Sequence, residues 1–235
     1  MQRLRKRPGW LSIEFVLLLW AVLFGGIVRL APLIAVKFPV NDGGLFYVMA
    51  QDIQKAQYVL PTYTSFNSAQ IPFAYPPLGL YLAAALNEFA GLPLLEIFRW
   101  LSPLLSILTI PAFYLVSVAL SKSRFHAAAA TLVYALLPRT YTLLVMGGGL
   151  PRVLGTLFLM LNIYFVYLLF TTRKNKHLLA AILTASLVIL SHPENSLHAV
   201  VVVCLFGLFW GGIDAPSFRP CWSRPASPCS PRPGG

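Results

Sequence analysis

Long apolar runs separated by short polar connections dominate the chain. Six runs stand out, at about 10–36, 94–120, 125–146, 150–170, 178–190 and 197–210. A helix needs about 20 apolar residues to cross a membrane, and the last two runs are short for a hydrocarbon core of roughly 30 Å, so they fit a thinned or partly enclosed position. The pattern predicts an all-α polytopic membrane protein with about six transmembrane helices.

The connection of residues 37–93 carries two further apolar pieces. In 43–57 one helical face collects the apolar side chains, so we expect this helix along the membrane surface; these side chains are Leu45, Phe46, Met49 and Ile53. Residues 77–91 are too short to cross comfortably and are interpreted as a second interfacial or re-entrant helix. The proline- and aromatic-rich residues 58–75 between them suit a lid over a lipid-facing cleft.

Composition excludes an ordinary soluble domain. Hydrophobic residues make up 57% of the 235 residues and charged residues only 11%, against about 25% charged in soluble domains. The net charge of +11 would suggest a nucleic-acid partner in a soluble chain, but in a membrane chain it first reports orientation. The basic head of residues 1–8 precedes a run too long for a signal peptide, so we interpret it as a signal anchor with a cytoplasmic N-terminus.

Alternating crossings place the charges unequally on the two sides. Twelve Lys and Arg residues then lie inside with the single acid Asp214, whereas five bases and five acids lie outside. The positive-inside rule supports this orientation. The net charge of +11 therefore indicates how the chain is oriented in the membrane and not nucleic-acid binding. We therefore predict an integral protein of the plasma membrane, in contact with the lipid bilayer, with its site on the extracytoplasmic side.

The sequence divides into a transmembrane domain, residues 1–213, and a tail rich in Pro, Ser and Arg, residues 214–235. The tail lacks apolar periodicity and is predicted to be disordered. Its abrupt change of character suggests a truncated or shifted reading frame. The three cysteines form no CxxC pair and no metal-ligand spacing, so they predict neither a disulfide framework nor a zinc site; they are Cys204, Cys221 and Cys229.

Asp42 is the leading candidate for catalysis. It follows the first apolar run by about six residues and precedes Gly43 and Gly44, which let the backbone approach a ligand closely. The structural alternative is a helix N-cap, a role compatible with catalysis. Asp52 is a second candidate, although the polar face of an amphipathic helix explains it equally.

Three arginines fall toward the outer ends of predicted spans, where they could meet an anion: Arg99, Arg139 and Arg152. Arg152 follows the Gly147–Gly149 triplet and Pro151, so it falls in the first turn of a helix, where the helix dipole favours a phosphate. Arg99 lies toward the outer end of the second run. Snorkelling to lipid headgroups is the alternative for each. Tyr75, just before Pro76, belongs to a rigid elbow and is a possible cleft residue.

His192 and Glu194 flank Pro193 at the outer end of the fifth run, with His198 beyond. This spacing resembles a metal site only superficially, because proline breaks the helix between the first two residues and no second cluster accompanies them. A histidine stabilised by a helix C-terminus is the simpler interpretation. We predict no cofactor and no metal site, and the sequence leaves a divalent-metal requirement open.

The chain resembles the GT-C superfamily of integral-membrane glycosyltransferases in the order of its features. These are a basic head, one span, Asp42 in a long outer loop, the turn Tyr75–Leu78 and Arg99 at the second span. The similarity covers roughly residues 3–198 and rests on short motifs. It implies a GT-C-like fold, a polyprenyl-phosphate-linked sugar as donor and an acceptor of unknown identity.

The resemblance also implies roles for individual residues. Asp42 takes the place of the catalytic base, Arg99 and Arg152 become candidates for the donor phosphate, and Tyr75, His192 and Glu194 become cleft residues. The chain departs from the family pattern because Gly43 stands where many members have a second acid, and the larger number of spans and the C-terminal domain common in the family are missing. The alternative functions are a transporter or flippase for a lipid-linked or anionic substrate and a non-catalytic membrane scaffold.

Overall fold

The computed structural model describes residues 12–35, 42–146 and 149–210. The basic head and the tail of residues 214–235 lie outside the described residues. Nine α-helices occupy the described part of the chain: α1 Ile13–Ala35, α2 Gly43–Lys55, α3 Leu78–Ala90, α4 Leu94–Ser121, α5 Arg124–Leu136, α6 Thr142–Val145, α7 Gly149–Thr172, α8 Asn175–Ser191 and α9 Pro193–Trp210. The remaining elements are 3-10 turns at Phe66–Ser68 and Pro138–Thr140 and the antiparallel strands β1 Tyr63–Thr64 and β2 Ile71–Pro72.

The all-α membrane fold is confirmed. Four helices are long and apolar enough to cross a bilayer, namely α1, α4, α7 and α9, and α8 is shorter with 17 residues. Helices cover all six apolar runs, and the two helices predicted in the long connection are present as α2 and α3. The order of the helices therefore follows from the hydrophobic pattern.

The third apolar run, predicted as one helix over 125–146, is broken in the structure. Helix α5 ends at Leu136, a 3-10 turn covers Pro138–Thr140, and α6 begins at Thr142. Proline lacks an N–H and disfavours helical geometry in the preceding residue. Leu137 accordingly has φ −71° and ψ 116°, so the break lies where Pro138 forces it.

Helices α4 and α7 form the centre of the bundle. Helix α1 packs on α5 and α4 on one side, whereas α7 packs on α8, α4 and α9 on the other. At one end of the bundle α2 lies on α3 and α4, and its apolar face is buried against them through Phe46, Met49 and Ile53. That face, expected along the membrane surface, contacts protein because α3 and α4 cover it.

Arg29 carries a charge inside the bundle. Its side chain in α1 is fully buried. Nη1 donates to the carbonyl oxygens of Gly25 at 3.0 Å and Ala135 at 2.6 Å, and Nε donates to Oγ of Ser106 at 3.1 Å. Through these hydrogen bonds, the one guanidinium links α1 to both α4 and α5.

The Arg29 charge is balanced by dipoles and aromatic rings. Its Cζ lies 4.9 Å from the ring centroid of Tyr141 and 5.9 Å from that of Tyr134, within the range of cation–π attraction. The last carbonyls of a helix lack intrahelical partners and carry partial negative charge, and the Ala135 carbonyl belongs to the last turn of α5. The described residues place no carboxylate within 4.0 Å of the guanidinium.

Replacing Arg29 with Lys tests this arrangement. Lysine keeps the charge but lacks the planar fork that reaches three acceptors, so we expect the free energy of unfolding to fall by about 1–3 kcal/mol. Denaturant unfolding in detergent micelles measures the change. The control is Arg139→Lys, because Arg139 is exposed; equal stability of the two variants would contradict the assigned role of Arg29.

Adjacent glycines in α1 offer a matched pair of substitutions. A Cβ at Gly25 would lie 2.7 Å from Cδ1 of Ile110 and 2.9 Å from Cβ of Ala135, whereas at Gly26 the nearest atom is Cδ1 of Ile107 at 3.8 Å. We expect Gly25→Ala to destabilise by about 1–3 kcal/mol through overpacking. Gly26→Ala should be neutral or stabilising by up to about 1 kcal/mol, because alanine favours helix. Similar unfolding midpoints for both variants would disprove the close packing at Gly25.

Candidate functional site

A small cavity lies beside the first turn of α7, at the end of the bundle that carries α2 and α3. Its volume is about 70 Å³, and it is lined by Asp42, Phe46, Tyr75, Leu143, Met146, Gly149 and Arg152. These residues come from the start of α2, the turn before α3, the α6 region and the start of α7. Three parts of the chain that are distant in sequence therefore converge on one site: residues 42–46, Tyr75, and residues 143–146 with 149–152. The site includes three of the predicted site residues.

Asp42 occupies the N-cap position of α2 without capping it through its side chain. Only its backbone acts in the helix, where the Asp42 carbonyl accepts from the N–H of Phe46 at 3.1 Å. The N-cap alternative is thus correct for the position and does not use the carboxylate. The carboxylate is left to line the cavity.

Arg152 supplies the positive charge of the site. It lies in the first turn of α7, as predicted, and its Nη1 is 3.5 Å from Oε2 of Glu194 in the first turn of α9. Both side chains are partly exposed, at 34% and 56%, so this ion pair is weak and can exchange for another anion. The Arg152 backbone is held by hydrogen bonds to its carbonyl from Thr156 and Asn195.

Tyr75 joins the charged residues to an aromatic contact. Its ring packs edge-on against Phe46, with centroids 4.9 Å apart, and against His192 at 6.0 Å. Burial raises the pKa of the Tyr75 hydroxyl; the charge of Arg152 opposes this shift, and the carboxylates of Asp42 and Glu194 add to it. Tyr75 is therefore a protonated hydrogen-bond donor at neutral pH.

His192 lies behind Tyr75 and is only 3% exposed. Burial lowers its pKa below the ordinary 6.5, the charge of Arg152 lowers it further, Glu194 opposes the shift and His198 adds to it. The imidazole is therefore neutral at pH 7, although the expected stabilisation by the end of α8 would favour its charged form. Its Nδ1 is buried without a hydrogen-bond partner among the described residues.

Asp52 does not line the cavity. Its Oδ2 accepts from Oγ1 of Thr64 at 2.8 Å and from the N–H of Ser65 at 2.7 Å, and its Oδ1 accepts from Oγ of Ser65 at 2.6 Å. Burial acts to raise the pKa of Asp52, but these hydrogen bonds and the charge of Lys55 outweigh it and lower the pKa. Asp52 therefore fastens α2 to β1 and the turn that follows it.

Arg99 is also separate from the cavity lining. Its Nη2 donates to the carbonyl oxygen of Leu33 near the end of α1 at 2.8 Å, and its Nη1 lies 3.4 Å from Oε1 of Glu96. The guanidinium also lies 5.7 Å from the ring centroid of Trp100. The structure thus brings Asp42 and Arg152 to one cavity and leaves Arg99 at the junction of α1 and α4.

Sequence reasoning did not assign four of the lining residues to a site: Phe46, Leu143, Met146 and Gly149. The sequence marks Gly149 only as the last residue of a glycine triplet. In the structure the Leu144 carbonyl lies where a side chain at position 149 would be, so only glycine fits there. Leu143 lies in the short helix α6 and Met146 just after it; α6 follows the break at Pro138 and packs on α7. With these residues the lining has an apolar part and a polar part formed by Asp42, Tyr75 and Arg152.

The described residues contain no group of three His, Cys, Asp or Glu side chains placed to hold a metal ion. Glu194 is paired with Arg152, and the His192 ring packs against the ring of Tyr75. The polar chemistry available consists of a carboxylate, a guanidinium with an exchangeable partner, a phenol and a neutral imidazole.

Long apolar helices around α4 and α7, with a polar cavity at one end, define a polytopic helical membrane protein. The chain belongs to the family described as 6-pyruvoyl-tetrahydropterin synthase related domain, membrane protein, whose model matches residues 74–222. The match includes α3 to α9 and therefore Tyr75, Arg152, His192 and Glu194. No curated protein and no solved structure matches the chain.

Asp52→Asn tests the structural role of that carboxylate. We expect the variant to lose about 1–3 kcal/mol of unfolding free energy at pH 7, because amide replaces a charged acceptor of three hydrogen bonds. The folded pKa lies below the ordinary 3.8, so this stabilisation is complete above that pH and is lost as the pH falls through the folded pKa. The wild-type advantage should therefore shrink below about pH 4.

Unfolding in detergent between pH 7 and pH 3 measures that difference. Asp42→Asn is the matched control, because the Asp42 side chain makes no capping hydrogen bond and its replacement should change stability little. A constant difference between wild type and Asp52→Asn across this range would contradict the lowered pKa.

Proposed function

We propose that the protein is a membrane glycosyltransferase that moves a sugar from a polyprenyl-phosphate donor to an acceptor on the extracytoplasmic side. The observation that carries the proposal is that a carboxylate without a capping role, Asp42, and an arginine in the first turn of a helix, Arg152, line the same cavity. One can act as a base and the other can bind the donor phosphate.

The mixed lining supports an amphipathic donor. Phe46, Leu143 and Met146 form the apolar part, and Arg152 provides a cation in the first turn of α7, near the positive end of the helix dipole. A volume of about 70 Å³ holds a few water-sized groups. The cavity therefore suits the phosphate, while the polyprenyl chain extends toward the bilayer.

The reaction needs one base and one cation. Asp42 removes the acceptor proton as the acceptor oxygen attacks the anomeric carbon. The bond from that carbon to the phosphate oxygen breaks, and its electron pair stays on the departing polyprenyl phosphate. Arg152 stabilises the charge that develops there, so a second carboxylic acid to protonate the leaving group is unnecessary.

The neighbouring residues support Arg152 in this role. Glu194 holds the guanidinium at 3.5 Å and is displaced when the donor phosphate binds. Tyr75 is protonated and donates to a phosphate oxygen, while His192 packs against the Tyr75 ring at 6.0 Å and orients it.

The charge distribution along the sequence supports an extracytoplasmic site. The cavity lies at the end of the bundle where α1 ends and α7 and α9 begin, and the basic residues 1–8 precede the start of α1 in the sequence. Because Lys and Arg favour the cytoplasmic side, the proposal places the cavity on the extracytoplasmic side.

Transfer from radiolabelled polyprenyl-phosphate mannose, glucose and arabinose, measured as release of polyprenyl phosphate in reconstituted vesicles, tests the function. We expect activity with at least one donor, a loss of about 100-fold or more in Asp42→Asn and a similar loss in Arg152→Gln. Neither substitution should change the unfolding midpoint greatly.

Arg139→Gln is the control, because it removes an exposed arginine that does not line the cavity. It should leave the transfer rate unchanged. Full transfer by a folded Asp42→Asn protein, or the absence of transfer by the wild type from all three donors, would refute the proposal.

A further inference from the structure

An exposed apolar patch lies where the α2 and α3 ends meet. It consists of Val59, Leu60, Phe89 and Leu92, which are 69%, 47%, 78% and 48% exposed. We call these four residues the apolar tip. The first two follow α2 and the last two lie at and just beyond the end of α3. Such a cluster of large apolar side chains marks a surface that meets another apolar phase.

The apolar tip is held in place by Tyr58. The Tyr58 hydroxyl donates to Oε2 of Glu88 at 2.7 Å, and its carbonyl accepts from the hydroxyl of Tyr81 at 2.9 Å. Its ring stacks on Phe89 with centroids 6.1 Å apart. These contacts fix the loop after α2 on α3, so the exposure of the tip belongs to a defined conformation.

The turn after α3 is held in the same way. Nδ2 of Asn87 donates to the carbonyl oxygen of Leu92 at 2.8 Å, and Gly91 has φ +67°, a left-handed geometry that glycine accepts without strain. Leu92 is 48% exposed, whereas Leu94 at the start of α4 is only 5% exposed.

The apolar tip is continuous with a membrane-spanning helix. Helix α4 starts at Leu94, two residues after Leu92, and has 28 residues, a length of about 42 Å at 1.5 Å per residue. That exceeds the roughly 30 Å hydrocarbon core and matches the bilayer including its headgroup layers. We therefore expect the start of α4, and with it the tip, at the level of the headgroups.

Other apolar surface of this region is already used within the protein. Phe46, Met49 and Ile53 of α2 are buried against α3 and α4, so the face expected to meet the membrane is covered. The exposed tip is the part of the α2–α3 unit left to contact lipid.

We propose that the apolar tip inserts into the boundary between headgroups and acyl chains of the leaflet next to the cavity. The occupant of this surface is lipid, and the insertion sets the height of α2 and α3 above the bilayer. This inference does not depend on the proposed transferase activity.

Depth-dependent fluorescence quenching tests the insertion. In a full-length background with Cys204, Cys221 and Cys229 changed to Ser, single variants Phe89→Cys and Val59→Cys are labelled with a polarity-sensitive fluorophore in phosphatidylcholine vesicles. Nitroxide near the glycerol end of the acyl chains should reduce emission by roughly half or more, because interfacial side chains lie about 5–10 Å deep. Aqueous iodide should have little effect.

Ala69→Cys is the matched control, because Ala69 is exposed in the same long connection and outside the tip. Its label should be quenched by iodide and not by nitroxide lipid. Iodide quenching at positions 59 and 89 equal to that at 69 would overturn the proposal. Protection of the labels at positions 59 and 89 from both quenchers would also overturn it, since protein would then cover the tip. Two label positions are used so that the test remains valid if one variant fails to fold.

Discussion

Burial of the Arg29 charge is the constraint on which the arrangement of the helices depends. A cation removed from water needs dipoles or counter-charges around it. Here they come from carbonyls of α1 and α5, a serine of α4 and two tyrosine rings. Because the guanidinium uses the carbonyl of Ala135, α5 must end beside α1. Pro138 ensures that it does, and the chain is free to turn into α6.

The cavity is a consequence of that break. Helix α6 contacts α1 as well as α7, and Leu143 and Met146 line the cavity together with Asp42 and Tyr75. A continuous third span would carry these two residues past the start of α7. The same junction receives α9, which brings Glu194 to Arg152. The first turn of α7 therefore packs against α6 and also carries the arginine that pairs with Glu194.

The candidate site was predictable in part, and the successes and failures have different causes. Asp42, Tyr75 and Arg152 could be singled out because each follows a local signal: a segment boundary, a proline turn or a helix start. Arg99 shares the same end of the bundle but contacts the Leu33 carbonyl instead. Asp52 is on the polar side of α2, yet its hydrogen bonds to Thr64 and Ser65 make it structural. Position along a helix does not reveal which neighbour a side chain faces.

By itself the sequence determined that this is a helical membrane protein, where its apolar segments lie and which residues sit near their ends. These properties follow from the hydrophobicity and length of each segment, which depend only on the residues of that segment and not on distant parts of the chain. Only the tertiary structure decided that α2 buries its apolar face in protein and that Arg152 shares a cavity with Asp42 while Arg99 does not. Those outcomes depend on how each helix is rotated about its axis and which helix packs beside it.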